Sequence, residues 1–212
     1  MYPLILIRHA QAEHHIQEIT GGWSDTDLTK EGIYQSMLLA ARLSNEMEGV
    51  PACLMTSNLR RAIHTATIIG QILGIAPQIH PALADLNNGI AAGKSHAEAK
   101  TFALPPSEPI LDWKPYPDAE SWRQFFDRVS FFIDQFSAQL HTAAILVTHS
   151  ANIHVIIAWW LQLSIESRTH FEVAPASITI LKQNRWGERS IDRLNDIAHL
   201  YTKGDYPNLF QL

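Results

Sequence analysis

PLILIR, residues 3–8, followed at once by His9, is the stretch on which the reading of the fold turns. It has the length and the almost wholly apolar character of a strand buried on both faces of a sheet. Residues 52–57 (ACLMTS) and 143–148 (AAILVT) share that character, and each leads into a helical pattern or a loop before one. After Thr29, a candidate N-cap, Ile33, Met37, Ala40, Ala41 and Met47 fall on one helical face until Gly49 and Pro51 end it. After Asp118, the set Trp122, Phe125, Phe126, Val129, Ile133, Phe136 and Leu140 repeats the pattern, and so clean a stripe is read as core packing. Residues 169–173 and 177–182 read as two further strands, the second at an edge. Strands alternating with helices imply right-handed crossovers, hence an α/β fold: a three-layer α/β/α sandwich with a mostly parallel central sheet.

The chain of 212 residues is long enough for one core without staples, and a single domain over 1–212 is expected. A net charge of −5 with no long basic run argues against nucleic acid as a partner. The apolar run 153–163 is too short to span a bilayer and is broken by Gln162, so no membrane association is expected. Residues 1–10 lack a basic n-region and cleavage site, and the single Cys53 closes no intrachain disulfide, so a cytoplasmic location is expected. Residues 87–117, with Pro105, Pro106, Pro109, Pro115 and Pro117, are too long for a tight connection and read as an insertion, either a lid or surface decoration. The Trp159-Trp160 pair and the C-terminal strands are candidate surfaces for a homodimer.

In open α/β sheets ligands bind beyond the carboxyl ends of the strands. There the first run delivers Arg8-His9, the second leads through Ser57 to Arg60 and Arg61, and the third ends in Thr148-His149-Ser150. A lone histidine at a strand end is usually structural; the convergence of two with several arginines is not ordinary. Guanidinium groups stay charged and match phosphate oxygens in pairs. A neutral imidazole can attack phosphorus, provided its other ring nitrogen keeps a proton by donating to a carbonyl. The leaving alkoxide then needs a carboxylic acid of raised pKa.

These residues also carry a resemblance. Arg8-His9-Ala10-Gln11 resembles the Arg-His-Gly signature of the histidine phosphatase superfamily, the phosphoglycerate-mutase-like enzymes. The segment Asp27-Leu28-Thr29-Lys30-Glu31-Gly32 is similar to the family's Leu-Thr-x-x-Gly, and Ser57–Ala66 to its Ser-x-Leu-x-Arg-Ala-x-x-Thr-Ala, a register that selects Arg61 over Arg60. Leu83–Gly89, with Gly93 beyond, resembles the Leu-x-Glu-x-x-x-Gly element, and residues 145–150 (ILVTHS) the strand ending in Ser/Thr-His-Gly. The resemblance implies a phosphoglycerate-mutase-like fold and a phosphatase with His9 as nucleophile. It makes Arg8, Arg61 and His149 the phosphate pocket and Asp85 the general acid; Gln11, His15, Trp23 and Ser150 are candidates for further substrate contacts. It implies no metal and no cofactor, and a phosphorylated small molecule or phosphoprotein as substrate.

Departures from the pattern are Ala10 and Ser150 for glycine, Ala91-Ala92 for Trp-Glu, and Asp85 for Glu, which retracts the acid by about 1.5 Å. His15 and Ala151 stand where mutase members carry asparagines, which favours phosphatase over mutase. A mutase-type transfer and a catalytically weak, phospholigand-binding member are the alternatives. His14, Lys94 and Lys114 are further candidates for the non-phosphate part of a substrate. A metal hydrolase is disfavoured because no two histidines of a helical segment stand four apart.

Overall fold

A computed structural model describes residues 2–167 and 169–201. Strand β1 is Leu4–Arg8 and helix α1 is Lys30–Glu46; β2 (Ala52–Thr56), α2 (Arg60–Leu73) and the two-residue β3 (Gln78–Ile79) follow. Residues 87–117 hold the short α3 (His96–Thr101); then come α4 (Trp122–Ala138), β4 (Ala143–Thr148), α5 (Ser150–Trp160), β5 (Ile178–Gln183) and β6 (Arg189–Asp196). The six strands are ordered β3-β2-β4-β1-β5-β6. The first four are parallel, and β5 and β6 extend the sheet antiparallel.

Alternation along β1 builds the layers. Leu4 and Leu6 pack with Phe125, Val129 and Ile133 of α4 and Ile153 and Ile156 of α5, whereas Ile5 and Ile7 pack with Leu39 and Leu43 of α1 and Ala62, Ala66 and Ile69 of α2. The sandwich expected from the sequence is therefore present. Thr29 caps α1 by accepting the Gly32 N–H (2.9 Å), and Gly32 has no alternative there, because a Cβ would lie 1.9 Å from the Gln11 carbonyl oxygen. Helix α4 begins behind Ser121, whose hydroxyl and the Gln124 side chain form a reciprocal capping box, three residues later than Asp118 indicated.

Three expectations need correction. Residues 169–173 form no strand: the Val173 carbonyl accepts from Arg8 and the Phe171 N–H donates to His154, so this segment's hydrogen bonds go to side chains. Strand β5 is internal, flanked by β1 and by the unforeseen β6. The Trp159-Trp160 pair offers no apolar patch, since Trp160 is buried with its indole N–H on Ser190 O (3.1 Å), and the Arg189 guanidinium lies over both rings. Among the described residues no helix is long and apolar enough to cross a membrane.

Candidate active site

The parallel strands end together, and the chain leaves β1 at His9 and β4 at His149. The two imidazoles are 5.0 Å apart between ring centroids, both buried, with Arg61 from the first turn of α2 between them. Hydrogen-bond partners settle the tautomers. His9 Nδ1 lies 2.8 Å from Ala10 O, a carbonyl that can only accept, so Nδ1 carries the proton. Its Nε2 lone pair accepts from Arg61 Nε at 3.2 Å. For His149 the order is reversed. Nδ1 accepts from Arg61 Nη2 (3.2 Å), and Nε2–H donates to Ser57 Oγ (2.9 Å). Burial, reinforced by Arg61 and Arg8, holds both rings well below the ordinary histidine pKa, so both are neutral at pH 7.

Arg61 is fully buried and is aimed by main chain, its Nη1 donating to Ser24 O (2.6 Å) and Nη2 to Gly22 O (2.7 Å). Gly22 has φ +56°, and a Cβ there would come within 2.6 Å of the Asn88 side chain, so glycine is what lets this carbonyl turn inward. Thr65 fastens the other end, donating to Arg61 O (2.9 Å) and accepting the Ala10 N–H (3.2 Å). Arg60, by contrast, pairs with Asp27 outside the cluster.

Asp85 reaches the cluster despite its short side chain. Its Oδ2 is 3.3 Å from Arg61 Nη2 and 3.8 Å from His149 Nδ1, and Oδ1 accepts the Leu86 N–H. Burial raises its pKa, and this outweighs the opposing pull of Arg61. The Asp85 side chain keeps 19% of its surface exposed.

Arg8 donates through Nη1 to Val173 O (2.6 Å), and its buried Nε has no partner. Its Nη2 lies 3.1 Å from His15 Nε2. Because His15 Nδ1 accepts the Ala12 N–H (3.1 Å), Nε2 is the protonated nitrogen, and two donors stand side by side where one oxyanion can accept from both. His15 stacks on His9 at 5.4 Å, and His14 lies 5.8 Å from His9 with Nδ1 against Thr26 Oγ1 (2.8 Å). Burial and the neighbouring cations lower His14 to about 3 and His15 to about 4.

A ring nitrogen from each of His9, His14 and His15 lies within 4.8 Å of the others, a spacing compatible with a metal that no short sequence motif revealed. The donor set does not fit one. The free nitrogen of His15 carries a proton, that of His9 is taken by Arg61, and two guanidinium groups occupy the same space. This field suits an anion.

Other anticipated contacts fare unevenly. The Gln11 carboxamide oxygen accepts from Thr29 Oγ1 (2.8 Å), which ties it to the head of α1. Trp23 donates its indole N–H to Asp85 O (2.8 Å) and so supports the acid's backbone. Ser150 opens α5, a helix whose N-cap supplies no side-chain bond to its first amides. Lys94 and Lys114 are exposed, and no contact among the described residues ties their ammonium groups to the cluster. Ser57, Ser24, Thr65 and Arg128 were missed; Ser57 opens the phosphatase-like segment, but its role depends on a partner 92 positions away.

The sequence matches the histidine phosphatase superfamily (branch 1) over residues 4–197. The chain belongs to the histidine phosphatase superfamily. Its relatives include the Hydrogenobacter thermophilus protein named "Putative phosphoserine phosphatase 2", 28% identical over 94% of this chain and 98% of that one. Another is the adenosylcobalamin/alpha-ribazole phosphatase of Escherichia coli, 29% identical over 80% of this chain and 84% of the relative. The solved alpha-ribazole phosphatase of Shigella flexneri shares the fold, with a TM-score of 0.78 at 24% identity over 92% of this chain and 96% of that one. The protein is a phosphatase, the activity implied by the resemblance of its motifs and consistent with the phosphate chemistry of the converging His9, His149, Arg8 and Arg61.

Proposed function

We propose that the protein is a metal-independent phosphomonoesterase that works through a phosphohistidine at His9. The observation that carries this reading is the His9 tautomer: Nδ1–H is anchored on Ala10 O, which leaves Nε2 unprotonated among Arg8, Arg61 and His149. Substrate phosphate displaces the Arg61–His9 contact, and the freed guanidinium donors take its oxygens. His9 Nε2 then forms the N–P bond while the ester P–O bond breaks, and Asp85 passes its proton to the leaving alkoxide. In the second half Asp85, now a carboxylate, takes a proton from water as that water attacks phosphorus; the N–P bond breaks and phosphate leaves. Cationic side chains supply the charge stabilisation that a metal supplies elsewhere.

The substrate is a small phosphorylated metabolite or a phosphoprotein, and the relatives named for phosphoserine and alpha-ribazole support the metabolite. The insertion shapes the leaving-group side: Asn88 accepts the Trp23 N–H (2.9 Å) and Gly93 N donates to Ser24 Oγ (2.7 Å), joining it to the loop that aims Arg61. The lone Cys53 favours a reducing compartment, hence the cytoplasm.

Hydrolysis of an aryl phosphate in excess EDTA, by wild type and His9→Ala, tests the reading. Turnover that survives chelation and is lost with His9 supports it. Equal turnover by both proteins overturns the assignment of the nucleophile, and loss on chelation overturns metal independence.

A further inference from the structure

The acid sits on a stretch with almost no regular structure of its own, yet each of four successive carbonyls in it is held by a side chain from elsewhere. Arg128 of α4 donates through Nη1 to Ala82 O (2.9 Å) and Ala84 O (3.1 Å), and through Nη2 to Asp85 O (3.1 Å). Thr148, next to His149, donates its hydroxyl to Leu83 O (2.8 Å). Asn152 of α5 donates to Ala84 O (3.0 Å), and the Trp23 indole completes Asp85 O.

Arg128 is itself fixed. Nε and Nη2 each lie 2.8 Å from a different oxygen of Glu120, so the guanidinium's five donors all have acceptors. Glu120 in turn accepts the Asn87 N–H (3.0 Å) and gives its own N–H to Asn87 O (2.9 Å). Residues 82–87 are thus clamped from α4 on one side and from the β4–α5 segment bearing His149 on the other.

A surface ion pair between Arg128 and Glu120 needs none of the carbonyl contacts, and a loop brace that served stability alone would have no reason to centre on Asp85. The short acid does. An aspartate has one fewer rotor than a glutamate to adjust its reach, so its carboxyl goes where its backbone goes, and misplacement by about 1 Å can lower a rate about 100-fold. Building on the phosphatase reading above, we propose that Arg128, locked by Glu120, is the positioning residue that brings Asp85 into register with Arg61 and His149. It touches neither substrate nor phosphorus.

The test compares wild type with Arg128→Lys and the milder Glu120→Gln across phenyl phosphates of graded leaving-group pKa. Positioning of a proton donor steepens the dependence of kcat/KM on leaving-group pKa: the poorest leaving groups lose about 100-fold, the best lose far less, and KM barely moves. A uniform loss across the series overturns the proposal. A second readout requires no turnover and separates failure of this inference from failure of the phosphatase reading. With the Asp85 carboxyl followed by 13C NMR, the charge-conserving Arg128→Lys should titrate closer to the ordinary carboxylate range than wild type, and an unchanged midpoint in a cooperatively folded variant overturns it.

Discussion

Replacing Asp85 by Asn removes the acidic proton, keeps the shape of the side chain and gives up one acceptor for Arg61. The amide keeps its one oxygen for the Leu86 N–H, which lies 2.9 Å from Oδ1, and turns its NH2 towards Arg61 Nη2, which lies 3.3 Å from Oδ2 in wild type. A positioned general acid contributes about 10²–10⁴-fold, which at about 1.36 kcal/mol per tenfold is about 2.7–5.4 kcal/mol of barrier. The loss should fall on esters whose alkoxide cannot depart unprotonated, so kcat/KM for an alkyl phosphate drops through that range while p-nitrophenyl phosphate is affected far less. In wild type, burial raises the Asp85 pKa, so the alkyl-ester rate should hold above the ordinary carboxylate range and fall as pH climbs through the raised value. The Asn variant should lack that limb. Stability should move the other way. A carboxyl whose folded pKa exceeds its unfolded value contributes stability below about pH 3.9, and the contribution is lost as pH rises through the folded pKa. Wild-type melts should therefore lose stability as pH rises through the raised value, a limb the variant should lack, because the acid serves activity at the expense of the fold. An alkyl-phosphate kcat/KM within about twofold of wild type would refute the reasoning.

Ser57→Ala leaves the buried His149 Nε2–H without an acceptor, so thermal melts should show a loss of about 1–3 kcal/mol, with a fall in activity as the tautomer is freed. Gly32→Ala drives a Cβ to 1.9 Å from Gln11 O, two residues from the nucleophile. Chemical denaturation should register about 1–3 kcal/mol or more of overpacking. His14 and His15, lowered to about 3 and about 4, are neutral in the empty site, and a bound dianion favours their protonation. Calorimetry should therefore find sulfate binding tighter, with proton uptake, as pH falls from about 7 towards 5; a flat profile contradicts the anion-pocket description.

Strands β1, β2 and β4 were readable because burial on both faces leaves an unbroken apolar run, and α1 because Thr29 and the spacing behind it agree. Strand β6 was hidden: it lies at the sheet edge, and Arg189, Asp192, Arg193 and Asp196 break any apolar pattern. Residues 169–173 misled because Phe171 and Val173 look strand-like, while their backbone is engaged by His154 and Arg8. At the site, Arg8, His9, Arg61, Asp85 and His149 were legible as local motifs. Trp23 was legible as a site residue, whereas its bond to Asp85 O emerges only in the folded chain. Ser57 acts through His149 and Arg128 through the carbonyls of residues 82–85, both distant in sequence, so no spacing announces them or the Glu120 that locks Arg128.

Rapid chemical quenching during turnover, followed by mapping of the bound phosphate, tests the central claim most directly. The account predicts a base-stable, acid-labile phosphoramidate on His9 Nε2, formed at a rate compatible with turnover and absent from His9→Ala. Turnover with no phosphoenzyme, or with phosphate on any other residue, would contradict it.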